Sequence, residues 1–302
     1  MADYSVFEKG LAGWLKTVWA KRASIKSSAN ASGRTEGAWC VYDCYNNPLS
    51  SADDSKEWRD FYQQMVKLQK EFGVRIAAQG GRMLPNDFFH FGPAALAKGQ
   101  GEWRVYAHVK SPRNDNWVDP ARFLLKLMNG GGSGIAKFKV AGPGMAPDRG
   151  DQIVVWTNSD LACKAVLEGF TRMAANFDGK VPPSVSMVVA GVGWAKEPNS
   201  DHSSPAIDEV WGTPQHSFGT YLSGIIYMAL EQSWDSNEDK YVDEVEQFFL
   251  NVGVNPLRPH LLRTMSWDDI LNLAGLANLS LAGKSIPALA SGKDSTQLMP
   301  IV

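Results

Sequence analysis

Apolar residues recur at intervals of three and four positions in several stretches of the chain, and this spacing predicts amphipathic α-helices. The first stretch covers residues 1–20, and the most regular one runs from Ser55 to Phe72 and ends at Gly73. The pattern predicts further helices at Pro120–Met128, at Asp160–Asn176 with Asp160 as the N-cap, at 218–230 with Ser217 as the N-cap, at Tyr241–Leu250 and after Ser266. Helices are thus predicted on both sides of the middle of the chain.

Between residues 103 and 190 the pattern changes to one that predicts β-strands. The predicted strands are Trp103–Lys110, Ile135–Val140, Asp151–Thr157 and Ser184–Gly191. Because the strands cluster with helices on either side, the order predicts an α+β fold with a central, mostly antiparallel sheet. Two arrangements stay open: a mainly helical lobe of residues 1–100 beside an α+β lobe of residues 101–302 with a cleft, or one compact domain.

Polar and glycine-punctuated stretches between these elements predict loops. Residues 21–38 are rich in Ser, Ala and Gly and predict a mobile loop, and residues 199–215 are also loop-like. The aromatic stretch Trp39–Tyr45 predicts a short strand or the start of a helix, and residues 79–101 predict a structured loop. The glycine run at 130–134 predicts a flexible turn, since it lacks the lysine and hydroxyl residue of a phosphate-binding loop.

Composition excludes several classes of protein. Of 302 residues, 44% are hydrophobic and 21% charged, which is typical of a globular protein, and the net charge of -2 gives no general attraction to nucleic acid or membrane. The three cysteines, without a second pair or a suitable histidine spacing, argue against a disulfide framework or a zinc site. No apolar run approaches the ~18 residues that span a bilayer. These features predict a cytoplasmic protein, or one exported without a cleavable apolar signal.

The most chemically informative side chains alternate along two of the predicted strands. They are Arg104, Tyr106 and His108 on one strand, Lys137 and Lys139 on the next, and Arg149 in the loop that follows. Side chains two apart on a strand point to one face, so this face combines cations with a phenol and an imidazole. Such a face can bind an oxyanion and move protons beside it, although a solvated sheet face shows the same alternation. Arg149 has an alternative role as the ion-pair partner of Asp148 or Asp151.

Several short motifs between residues 100 and 230 occur in a definite order. They are Arg104-x-Tyr106, Phe138-Lys139-Val140, Arg149-x-Asp151-x-x-Val154-x-Trp156, Gly191-x-Gly-Trp-Ala-x-Glu-Pro198 and Ser217-Phe-Gly219. This series resembles the HopA effector family, which also includes stand-alone lyases of class V lanthipeptide and thioamitide biosynthesis. That family is distantly similar to the phosphothreonine lyases of the OspF and SpvC type.

The resemblance implies a lyase that removes phosphate from phosphoserine or phosphothreonine by β-elimination. The implied roles are Lys139 as base, Tyr106 or His108 as acid, and Arg104, Lys137 and Arg149 as phosphate ligands. Lysine can act as the base only where neighbouring cations and burial lower its pKa. No metal or cofactor is implied. The implied partners are a phosphorylated precursor peptide and a separate Ser/Thr kinase.

One position departs from the family pattern. The family carries an arginine three residues after the Ser-Phe-Gly motif, and this chain has Leu222 there. If that arginine binds phosphate, the chain lacks one ligand, and Arg172 or Arg113 could replace it.

Two other functions remain open. Arg104, Ser184-Val-Ser186 and Glu244-Val-Glu246 follow the motif order of ADP-ribosyltransferases, but Tyr241–Leu250 is predicted to be helical, where that fold needs a strand. The chain could instead be an effector or a peptide-binding scaffold without catalysis, which Leu222 favours.

Overall fold

The computed structural model describes residues 2–45, 55–92, 101–110, 116–130, 134–144, 149–179, 181–198, 204–214 and 216–262. Arg113 and the helix predicted after Ser266 lie outside these ranges. The helices are α1 Lys9–Ala20, α2 Arg22–Ser32, α3 Arg34–Tyr45, α4 Ser55–Phe72, α5 Val118–Asn129, α6 Asp160–Arg172, α7 Pro205–Trp211, α8 Phe218–Ser233 and α9 Glu238–Asn251. The strands are β1 Ile76–Ala78, β2 Phe88–Phe91, β3 Trp103–Ala107, β4 Ile135–Ala141, β5 Ile153–Thr157, β6 Ser186–Val189 and β7 Val192–Lys196.

Within the described residues, seven strands form one sheet in the order β1-β2-β4-β5-β3-β7-β6. Neighbouring strands run antiparallel from β1 through β2, β4 and β5 to β3, and again between β7 and β6. The prediction of an α+β fold with a central, mostly antiparallel sheet is confirmed. No helix within the described ranges combines the length and the apolar content that crossing a membrane requires.

The described residues fall into two compact units. The helical unit is built from the segments Met1–Asn47, Pro182–Val185 and Ala195–Thr264, and the sheet unit from Pro48–Val181 and Ser186–Trp194. In the helical unit, α8 packs against α3, α7 and α9. In the sheet unit, α5 and α6 pack against strands β3, β4 and β5.

One face of the sheet forms the core beneath these helices. Val105, Val155, Phe138 and Phe91 are register partners across β3, β5, β4 and β2, and each is fully buried. The rings of Phe91 and Phe138 stack with centroids 4.6 Å apart. Because alternate residues of a strand point to opposite faces, the residues between these four point away from the helices.

The predicted loop at 21–38 is wrong, since these residues form α2 and the first part of α3. Alanine favours the helix, and Ile25 and Ala29, one turn apart, bury the apolar side of α2. Gly33 ends α2 with a positive φ of 92°, a conformation that glycine adopts without strain. Few apolar positions mark α2, so hydrophobic periodicity alone did not reveal it.

Other details also differ from the sequence prediction. The stretch 79–101, predicted as a loop, contains β2, and the loop-like stretch 199–215 contains α7. The N-cap of α6 is Ser159 rather than Asp160, because the Ser159 hydroxyl accepts a hydrogen bond from the Ala162 amide. At α8 the predicted cap is confirmed: the Ser217 hydroxyl accepts from the Thr220 amide.

A close backbone contact links the end of β4 to the turn before β2. The amide of Gly142 donates to the Asp87 carbonyl at 2.8 Å, and a Cβ at Gly142 would collide with the Pro85 carbonyl oxygen. We expect Gly142→Ala to lower the free energy of unfolding by about 1–3 kcal/mol, as overpacked sites do. Gly130→Ala is the control, since its Cβ would have no neighbour closer than 3.5 Å. Equal urea midpoints for the two variants would contradict the expectation.

Candidate functional site

The predicted site residues lie on the sheet face that points away from the helices, in two neighbouring rows that cross the strands. The first row consists of Lys137, Trp156 and Arg104, on β4, β5 and β3. The second row consists of His90, Lys139, Val154 and Tyr106, on β2, β4, β5 and β3. The register therefore brings residues from four strands together, although β3 and β4 are separated by β5.

An irregularity in β4 sets the first row. Ile135 pairs with Thr157, and Lys137 pairs with Trp156. The pairing thus advances by two residues on β4 but by one residue on β5, and Ala136 is the extra residue. This β-bulge places Ile135 and Lys137 on opposite faces of the sheet, although they are two residues apart. Ile135 is buried on the core face, while Lys137 shares its face with Lys139.

Trp156 separates the two cations of the first row. The guanidinium carbon of Arg104 lies 4.7 Å from the centroid of its ring, and Nζ of Lys137 lies 4.8 Å from the centroid. Both distances are within the range of cation–π attraction, which offsets part of the repulsion between like charges. The indole is almost fully buried, so it forms a fixed platform between the two positive groups.

Lys139 is the central cation of the second row. Its side chain is half-buried, and Nζ lies 3.5 Å from the centroid of the Phe88 ring. Burial is the largest cause that lowers the pKa of Lys139, to about 7. The positive groups that add to this effect are Arg149, Arg104 and Lys137, while Asp151 opposes it. At neutral pH a large fraction of this amine is therefore unprotonated and able to accept a proton.

Arg149 forms a bidentate ion pair with Asp151. Its Nε and one terminal nitrogen donate to the two carboxylate oxygens, each at 2.9 Å. Burial alone would raise the pKa of Asp151, but Arg149 and then Lys139 outweigh burial, so the pKa is lowered. The alternative predicted for Arg149, an ion pair with Asp151, is thus observed. Asp151 limits the excess positive charge around Lys139.

His90 is a member of this cluster that the sequence analysis did not identify. It is the register partner of Lys139, its ring stacks on Trp156 with centroids 6.2 Å apart, and its Nε2 lies 3.4 Å from Oε1 of Gln79. Burial, followed by Lys139 and Lys137, lowers the pKa of His90 to about 4. The aromatic run Phe88–Phe91 was the signal in the sequence for strand β2, but the sequence analysis predicted a loop over residues 79–101.

The two predicted acids lie further from Lys139. Tyr106 is in the same row but two strands away, which is roughly 10 Å at the usual strand spacing, and it is 3% exposed. His108 lies beyond the end of β3, where a Cβ added to Gly179 would come within 3.3 Å of its Nδ1. The structure therefore does not bring His108 next to Lys139 in register.

The remaining candidate positions lie elsewhere. Leu222 is fully buried in α8 of the helical unit, and Arg172 is exposed at the end of α6. Glu244 and Glu246 lie on α9, as predicted, and not on a strand. The described part of the chain contains no group of three or more His, Cys, Asp or Glu side chains placed to hold a metal ion.

The cluster combines an amine that titrates near neutrality with several fixed cations. Fixed cations stabilise an anion, and they are most effective where burial limits screening by water. The geometry is therefore suited to bind a multiply charged oxyanion while the amine takes a proton from a nearby carbon atom of the same ligand.

Comparison with known proteins gives an independent assignment. No curated protein matches the chain at a significant level. The structure is similar to that of the effector protein from Pseudomonas syringae pv. tomato strain DC3000, with 16% identity, a TM-score of 0.54, and coverage of 83% of this chain and 99% of that one. The effector protein from Pseudomonas syringae pv. syringae strain 61 is similar at 17% identity, with a TM-score of 0.54 and coverage of 82% and 97%. At these identities the two structures establish a shared fold. A profile of the HopA1 effector protein family matches residues 81–261, more than half of the chain, and the chain belongs to that family.

Proposed function

We propose that this protein is a lyase that eliminates phosphate from phosphoserine or phosphothreonine in a peptide. The observation that carries the proposal is the half-buried amine of Lys139, whose pKa is lowered to about 7 in a cluster of fixed cations. A general base is most effective when its pKa lies close to the working pH. The cations beside it, Arg104 and Lys137, supply the charge that binds a phosphate group.

The proposed reaction divides into a proton transfer and a bond cleavage. Unprotonated Nζ of Lys139 takes the proton from Cα of the phosphorylated residue. The electron pair of that C–H bond forms the Cα=Cβ double bond as the Cβ–O bond breaks, and its electrons leave with the phosphate. Arg104 and Lys137 stabilise the charge that grows on the departing oxygen. The products are dehydroalanine or dehydrobutyrine and inorganic phosphate.

We further propose that the substrate is a precursor peptide phosphorylated by a separate Ser/Thr kinase. This reaction consumes a phosphorylated side chain, so a kinase must act before it. The resemblance to the lyases of lanthipeptide and thioamitide biosynthesis supports a peptide substrate. An effector that acts on a phosphorylated host protein would use the same chemistry.

A binding role without catalysis is the second candidate. Arg149 is engaged by Asp151 through two hydrogen bonds, and the position at which the family carries an arginine is the buried Leu222. The ion pair with Asp151 reduces the number of cations that a phosphate group in the cluster can meet. A phosphopeptide that binds without being converted would support this function.

Mass spectrometry of a phosphopeptide tests the choice between these functions. We expect the wild-type protein to remove the mass of one phosphoric acid per phosphorylated residue, and Lys139→Ala to be slower by roughly 10³-fold, as expected for the loss of a general base. Because the active form of Lys139 is unprotonated, the wild-type rate should fall as pH is lowered below about 7.

Lys126→Ala, at an exposed position of α5, is the control for the loss of a lysine. Binding of the phosphopeptide by the wild-type protein with no loss of mass at any pH would reject the lyase and support the binding role.

A further inference from the structure

The proposed elimination has a second requirement that Lys139 does not meet. A phosphate dianion that leaves without a proton departs as a trianion, which is a poor leaving group. A group that protonates the departing oxygen therefore accelerates the reaction. Of the two acids predicted from the sequence, Tyr106 lies two strands from Lys139 and His108 lies beyond the end of β3.

His90 is the titratable side chain in direct register with Lys139. The two residues are partners across β2 and β4, on the same face of the sheet, and adjacent strands are about 4.8 Å apart. The His90 ring also stacks on Trp156, the platform between Arg104 and Lys137. A phosphate held by the cations of the first row therefore has the imidazole and the amine of the second row side by side.

We propose that His90 is the general acid of this site, and that it takes up a proton when a phosphate dianion binds beside it. This inference rests on the proposed lyase function. The proton of His90 passes to the oxygen that leaves from Cβ, while Lys139 receives the proton from Cα. After each turnover Lys139 loses its proton to solvent, and His90 regains one when the next dianion binds.

The charges that surround His90 explain why proton uptake depends on the ligand. Lys139 and Lys137 face it from β4, the uncharged Gln79 faces it from the end of β1, and Trp156 faces it from β5. Without an anion, burial and the two lysines keep the imidazole neutral at pH 7. A bound dianion cancels the field of these lysines and adds an attraction to the imidazolium, so the pKa of His90 rises.

Trp156 and Gln79 restrict the orientation of the imidazole. Stacking on the indole limits the tilt of the ring, and Nε2 lies 3.4 Å from Oε1 of Gln79, an acceptor to which it can donate. The other nitrogen, Nδ1, is then the site of proton uptake.

Nuclear magnetic resonance of the histidine rings, with inorganic phosphate as the probe, tests proton uptake without requiring turnover. We expect the pKa of His90 to rise by more than about one pH unit at saturating phosphate, with a smaller rise in Arg104→Met. An unchanged His90 titration in the presence of bound phosphate would overturn the proposal, whether or not the protein eliminates phosphate.

Kinetics on a phosphopeptide tests the catalytic part. His90→Gln should lower kcat by about 10²-fold with little change in KM, and the fall should be larger than in His108→Gln. Elimination by His90→Gln at the wild-type rate would reject His90 while leaving the lyase intact. A wild-type protein that eliminates nothing would instead reject the lyase, and His90 as its acid with it.

Discussion

Lys139→Met will make the protein more stable at pH 7, by about 2–4 kcal/mol, while removing the proposed base. Each unit by which burial lowers the pKa of a lysine costs the folded state about 1.4 kcal/mol, and the shift from 10.5 to about 7 sets an upper limit near 5 kcal/mol. Methionine keeps most of the length of the side chain and packs on the Phe88 ring without carrying a charge. Stability and the proposed catalysis therefore favour different residues at this position.

The pH dependence of this gain identifies its cause. The folded state releases the proton of Lys139 near pH 7, whereas the unfolded chain keeps it up to about pH 10.5. The wild-type protein thus gains stability relative to Lys139→Met as pH rises from 7 towards 10.5. In urea titrations, the advantage of the variant should be complete well below pH 7 and should shrink as pH rises through 7 towards 10.5. Lys126→Met, at an exposed site, is the control, and an equal gain there would show that burial of Lys139 is not the cause.

Asp151→Asn will have the opposite effect, lowering the free energy of unfolding at pH 7 by about 3–5 kcal/mol. The carboxylate is 4% exposed and accepts two hydrogen bonds from Arg149, so its removal leaves the guanidinium partly buried beside Lys139 without a counter-charge. The same change lowers the pKa of Lys139 further, because Asp151 is the group that raises it.

An exposed ion pair of the same chemistry provides the matched control. Asp119 contacts Arg122 at 3.3 Å, but its side chain is 70% exposed, so Asp119→Asn should cost less than about 1 kcal/mol. Because the folded-state pKa of Asp151 is lowered, its contribution should be complete above the usual aspartate value and should be lost as pH falls through the folded value. Equal effects of the two substitutions at pH 7 would mean that the pair of Arg149 and Asp151 is no stronger than a surface pair.

Most of the helices could be predicted from sequence because their apolar faces are regular. The bounds of α4 agree with the prediction, and α8 and α9 differ from it by a few residues. The prediction failed at α2, where Ile25 and Ala29 are the buried positions among serines and charged residues. A helix stabilised by so small an apolar face is recognised from its tertiary contacts rather than from local periodicity.

The alternation of side chains along each strand predicted part of the site, but the order of the strands in the sheet could not be predicted from the sequence. The alternation correctly places Lys137 with Lys139 and Arg104 with Tyr106 on shared faces. The insertion of β5 between β3 and β4 is a non-local feature, and it is what places Trp156 between the two cations. His90 was missed for the same reason, since its proximity to Lys139 depends on the pairing of β2 with β4.

The extra residue in β4 has a consequence for how the family can vary its length. Ala136 is the extra residue of the β-bulge between Ile135 and Lys137. The sheet face on which Lys137 lies is therefore set by its pairing with β5 and not by the residue at which β4 begins. We therefore expect both lysines to keep their orientation when the number of residues before β4 changes, as long as the pairing of β4 with β5 is retained.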